Sequence, residues 1–145
     1  MNWSELKTNH YFKEPVEHIY SSTIFDIKEY DRLYENQNNL SHQVWKDFDS
    51  KYSTGFQFHE DLTEINRNKE VMCLWFYKDR NDRSAGELIE LAGKKITYFP
   101  NAFLITESKD IKIIREKRNF IRRPCLQIDL DRETYNQIIG KIKQR

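Results

Sequence analysis

The side chains of this chain best placed to do chemistry are His59 and Asp61, in Phe58-His59-Glu60-Asp61. Alternate side chains of an extended strand share a face. An H-x-D pair therefore sets an imidazole and a carboxylate about 6 to 7 Å apart along the chain, able to converge on one cation. From Tyr52 to Asp61, Tyr52, Phe56 and Phe58 fall on one face and Gln57, His59 and Asp61 on the other. That alternation predicts a strand with core on one side and a polar cavity on the other. The same two residues also read as a hydrogen-bonded pair that holds no metal.

A second concentration of chemistry is basic. Arg115-Glu116-Lys117-Arg118-Asn119-Phe120-Ile121-Arg122-Arg123 interleaves cations with Phe120. It reads either as a solvated hairpin or as a contact for phosphate or single-stranded nucleic acid. His10, His18 and His42 have no partner at metal-ligand spacing and read as surface or satisfied core. The only two cysteines, Cys73 and Cys125, each lie in an apolar run and read as reduced core residues. The chain has no Ser-His-Asp elbow, Walker loop, GxGxxG or HExxH, so hydrolase, nucleotide-binding and zinc-protease readings have no foothold.

The elements that must hold these residues follow from periodicity. Ile27, Tyr30, Leu33 and Tyr34 share a helical face behind Asp26 as N-cap, which predicts a helix from Ile27 to Asn36. Glu70 to Tyr77 is nearly all apolar and predicts a central strand buried on both faces. Strands are also predicted at Glu87 to Leu91, Ile96 to Thr106 with Pro100 interrupting, Ile111 to Ile114, and Pro124 to Leu130. Asp131 then caps a terminal helix with Tyr135, Ile138, Ile139 and Ile142 at helical spacing and Lys141 and Lys143 near its negative end. Helices at both ends of a run of strands make α+β, with the strands in a sandwich or barrel.

At 145 residues the chain is expected to form one domain. Its 24 Lys and Arg nearly balance 23 Asp and Glu, so no large net field steers it to nucleic acid or anionic membrane. No apolar run has the roughly 18 residues a membrane span needs, and the start lacks the apolar core of a signal peptide, so a cytoplasmic setting and no membrane partner are expected.

After His59-Glu60-Asp61 come Phe76-Tyr77-Lys78-Asp79, Ala85-Gly86-Glu87-Leu88, Phe99-Pro100-Asn101-Ala102-Phe103-Leu104 and Arg123-Pro124-Cys125-Leu126. This order resembles the 2-oxoglutarate/Fe(II)-dependent oxygenases of the prolyl-hydroxylase type. There an H-x-D is followed by a YLND-like strand end, a GGEL, a Pro-x-x-Gly-x-Leu turn leading to a distal histidine, and an arginine opening the closing strand. The likeness spans Phe58 to Leu130, and VEHIYSSTIFDIKEYDRL resembles the strand and helix that precede such barrels.

The resemblance implies a double-stranded β-helix, a jelly-roll or cupin-like barrel, flanked by N- and C-terminal helices. Residues 1–50 would support it, 51–130 would form the barrel core and 131–145 the C-terminal helix. It implies that His59 and Asp61 hold Fe(II) and that Arg123 anchors the far carboxylate of 2-oxoglutarate; no catalytic side chain is assigned. Between Leu104 and Arg123 there is no histidine, and Lys112 or Ile111 stands at the distal position. Lys112 is expected to turn toward Asp61 as an ion pair in the metal's place; otherwise Asp110, Glu107 or His42 would supply a third ligand. Phe76 stands for a tyrosine and Ala102 for a glycine of the pattern. The implied function is a divergent hydroxylase acting on a small molecule or peptide, or a pseudoenzyme that kept the barrel to bind. The rival is a noncatalytic phage or bacterial accessory subunit using the basic hairpin or a barrel edge.

Overall fold

A computed structural model of the chain describes residues 6–22, 25–35, 55–78, 89–114 and 122–144. The elements run β1 (Tyr11–Phe12), β2 (His18–Ser21), α1 (Ile27–Glu35), β3 (Gly55–His59), β4 (Val71–Phe76), β5 (Ile89–Leu91), β6 (Lys94–Ile96), β7 (Phe103–Glu107), β8 (Ile111–Ile113), β9 (Cys125–Leu130) and α2 (Arg132–Lys143). They build two antiparallel sheets, one ordered β1-β2-β7-β4-β9-β3 and one ordered β6-β5-β8. The fold class is α+β.

All six residues of β4 are buried, as a strand covered on both faces requires. Val71, Cys73 and Trp75 face a core shared with Tyr30 and Leu33 of α1 and with Tyr135, Ile138, Ile139 and Ile142 of α2. Met72, Leu74 and Phe76 face a second core shared with Ile89, Leu91, Ile96 and Ile111 of the small sheet. The large sheet is thus the middle layer between helices and small sheet.

Both predicted helix starts are correct. Asp26 Oδ1 accepts the N–H of Glu29 at 2.9 Å, and Asp131 Oδ1 that of Thr134 at 2.7 Å. Ile27 departs from the predicted apolar face: it is 61% exposed, and the helix buries Tyr30 and Leu33 instead. The predicted strand from Ile96 to Thr106 is two strands in different sheets. Its first part closes a hairpin through Ala92 and Gly93, both at positive φ, and its second joins β4 after a turn at Asn101. Asn101, at φ 74, binds Phe25 through both amide atoms and accepts the indole N–H of Trp75, which ties the segment before α1 to β4. Tyr52 and Glu87 lie outside the described residues.

His18 on β2 is fully buried on the second-core face. A lysine ammonium only donates, so the 3.2 Å contact with Lys94 Nζ makes His18 Nε2 the acceptor. The ring proton is then on Nδ1, donating to the Val16 carbonyl at 2.7 Å. Burial lowers the His18 pKa, the Val16 bond opposes this, and the Lys94 charge adds to the lowering. Below the ordinary value of 6.5 the unfolded chain takes up a proton that the folded chain refuses, so stability falls as pH drops from 6.5 toward the lower folded pKa. A histidine titration by NMR should place the His18 midpoint below 6.5, and Lys94→Gln should raise it. A midpoint at or above 6.5 would refute the assignment.

Candidate functional site

His59 ends β3 opposite Cys125, the first residue of β9, and Cys125 in turn lies opposite Phe76 at the end of β4. One step past this rung the two chains meet again, for the Asp61 carboxylate accepts the backbone N–H of Arg123 at 3.1 Å. The fold therefore gathers His59, Asp61 and Arg123 at one end of the β3–β9 ladder.

Asp61 leaves the strand and caps a short 3₁₀ turn, Leu62–Glu64. Its Oδ2 accepts the Thr63 N–H at 3.0 Å and the Thr63 hydroxyl at 2.8 Å. Burial alone would raise its pKa, but these bonds, the Arg123 N–H and the Arg123 charge outweigh burial and hold the carboxyl below 3.8. Asp61 is an ionised turn cap.

The Arg123 side chain is 4% exposed, and its Nε and Nη2 meet no hydrogen-bond partner among the described residues. Asp61 supplies charge to it at a distance while bonding its main chain. Arg122 next to it is exposed and reaches Glu60 at 3.5 Å, so the two arginines diverge. Tyr98, 1% exposed and stacked on Phe76, donates its hydroxyl to the Pro124 carbonyl beside Arg123.

His59 is committed elsewhere. Its Nε2 lies 2.8 Å from Gln127 Oε1, which also accepts the Asn66 N–H at 3.1 Å, while Gln127 Nε2 donates to the Asn66 carbonyl at 2.8 Å. The two main-chain bonds of Asn66 fix which end of the amide is oxygen, so His59 must be the donor, through Nε2–H. Nε2 is thus spent on Gln127, Nδ1 is the ring nitrogen that keeps a lone pair, and both Asp61 oxygens accept hydrogen bonds. Among the described residues no three His, Cys, Asp or Glu side chains form a metal-holding group.

Lys112 does not take the metal's place. It is exposed on β8 opposite Glu90, and Ile111, 3% exposed, is the residue that turns inward. Strand alternation forces one of the two outward, and an ammonium is far the costlier to bury. Glu107 is bound to Arg132 and Lys109, and Asp110 closes the turn after β7. His42 and most of the basic hairpin lie outside the described residues. Sequence reading passed over Gln127, Asn66 and Tyr98. Gln127 left a trace as the polar residue between Leu126 and Ile128, facing as His59 does; Asn66 and Tyr98 left none, being brought in by loops.

Comparison of the chain with protein-family models, curated proteins and solved structures finds no match. Among the described residues no helix is long and apolar enough to cross a membrane. The fold and site define an α+β two-sheet protein with a buried arginine whose Nε and Nη2 meet no partner among the described residues.

Asp61→Ala should remove the turn cap and a charge that acts on Arg123, costing about 2 to 3 kcal/mol near pH 7. Because the folded pKa is depressed, this stabilisation is present above 3.8 and fades as pH falls through the folded value. Chemical denaturation at pH 7 and pH 3 should thus show the variant's deficit shrinking in acid; an equal deficit at both would refute the ionised cap.

Proposed function

We propose that this chain is a carboxylate-binding domain on a double-stranded β-helix related to the 2-oxoglutarate/Fe(II) oxygenases, with Arg123 as the anchor and without iron chemistry at His59 and Asp61. The observation that carries this reading is the pair of free donors on Arg123. A buried guanidinium with unmet N–H groups costs several kcal/mol, and a ligand oxygen at each removes that cost. Nε and Nη2 form one edge of the guanidinium, the edge that offers two parallel N–H groups to a carboxylate fork.

The scaffold supports the relationship through its winding. The chain passes from the large sheet (β3, β4) to the small (β5, β6), back to the large (β7), to the small (β8) and to the large again (β9). Such alternation is what a strand pair coiled between two facing sheets produces. The oxygenase resemblance supplies the substrate class, a small dicarboxylate of the 2-oxoglutarate kind. The cytoplasm suits a chain whose two cysteines are free and buried.

Calorimetry with 2-oxoglutarate and succinate should give saturable binding, weakened about tenfold or more by Arg123→Ala, the value of a charge-assisted bond pair. Unchanged affinity in the variant would remove Arg123 from the role. Anaerobic Mn(II) titration should show only weak binding, and Lys112→His should add none, since that side chain points to solvent. Tight stoichiometric metal with perturbed His59 resonances would overturn the noncatalytic reading.

A further inference from the structure

The loop before β4 and the turn after β7 meet at the end of the large sheet remote from His59. Val71 lies opposite Glu107 and Leu130, whereas Phe76 lies opposite Cys125, about 16 Å further along the strand. There a depression of about 460 Å³ is lined by Arg67, Lys69, Glu70, Glu107, Lys109 and Arg132, with Asn68 and Ser108. Four cations face two carboxylates, an excess of two positive charges.

The ion pairs show which charges are spent. Arg132 meets Glu107 at 2.7 Å and Glu70 at 3.6 Å, and Lys109 meets Glu107 at 3.3 Å. Arg67 and Lys69 form no ion pair among the described residues; Lys69 acts on Asp129 only as a charge at a distance. Arg67 is nevertheless held in place, because its Nη1 donates to the Ser108 carbonyl at 2.6 Å. Ser108 N–H donates to the Glu70 carbonyl at 2.8 Å, and the Ser108 hydroxyl to that of Lys69. These bonds stitch loop to turn, so Arg67 and the backbone that carries Lys69 are already held in place before binding.

We propose that this depression binds a phosphomonoester dianion, with Arg67 and Lys69 as its principal contacts. Two excess positive charges match a dianionic phosphoryl group, whose oxygens accept from the remaining guanidinium N–H groups, the Lys69 ammonium and the Asn68 amide. A monocarboxylate would neutralise only half of the excess. The neighbouring ion pairs keep Glu107 and Glu70 from repelling the ligand.

The test is titration of inorganic phosphate into the full chain at constant ionic strength, followed by two-dimensional NMR and calorimetry. Saturable binding is expected, with shifts centred on residues 66–70 and 107–110 and no comparable shifts from acetate. Arg67→Gln and Lys69→Gln, at exposed positions that leave the fold intact by circular dichroism, should each weaken binding about tenfold. Non-saturating shifts, or wild-type affinity in both variants, would overturn the site. Tighter, strongly salt-dependent binding of a single-stranded oligonucleotide than of phosphate would also overturn it, by assigning the cations to a polyanion track.

Discussion

Val71–Phe76 carries large apolar side chains on both faces, and a strand of that kind is stable only when each face is covered. Everything else in the fold answers that constraint. Two amphipathic helices cover the face of Val71, Cys73 and Trp75, and the small sheet covers the face of Met72, Leu74 and Phe76. Pairing with β7 on one side and β9 on the other satisfies the strand's backbone polar groups, which burial leaves no water to meet. The same pairing delivers Cys125, and with it Arg123, to the end of β3 where His59 and Asp61 sit.

At that end, polar groups are shut away from water and must find partners within the protein. Asp61 finds three donors, and Gln127 serves the backbone of Asn66 as a neighbouring strand would while holding the His59 ring. Arg123 is the exception, with two nitrogens buried and unmet among the described residues. An unmet buried guanidinium edge is costly, so the arginine is the polar group at this end whose needs the described residues do not meet.

The nearly balanced charge of the whole chain conceals a local division. One end of the large sheet buries a single guanidinium behind aromatic and apolar side chains, where a bond to charge is strong because water is excluded. The other end gathers four cations and two carboxylates in an open recess, where each contact is weaker and several must act together. Net charge could not reveal either cluster, since both depend on which residues the strand register brings side by side.

Elements whose signals are local were legible in the order of residues alone. Asp26 and Asp131 announced their helices through capping chemistry, and the unbroken apolar run announced β4. That order also singled out His59, Asp61 and Arg123 as one group, which the fold does assemble. Their bonding partners were chosen only by the tertiary fold. The partner of His59 is a glutamine 68 residues away, and Asp61 is met by a backbone 62 residues away. Whether Lys112 or Ile111 faced inward hung on a one-residue choice of strand phase, which the desolvation cost of an ammonium resolved for isoleucine. Periodicity states which side chains share a face; it does not state which distant strand that face will meet, and hydrogen-bond partners are chosen by the meeting.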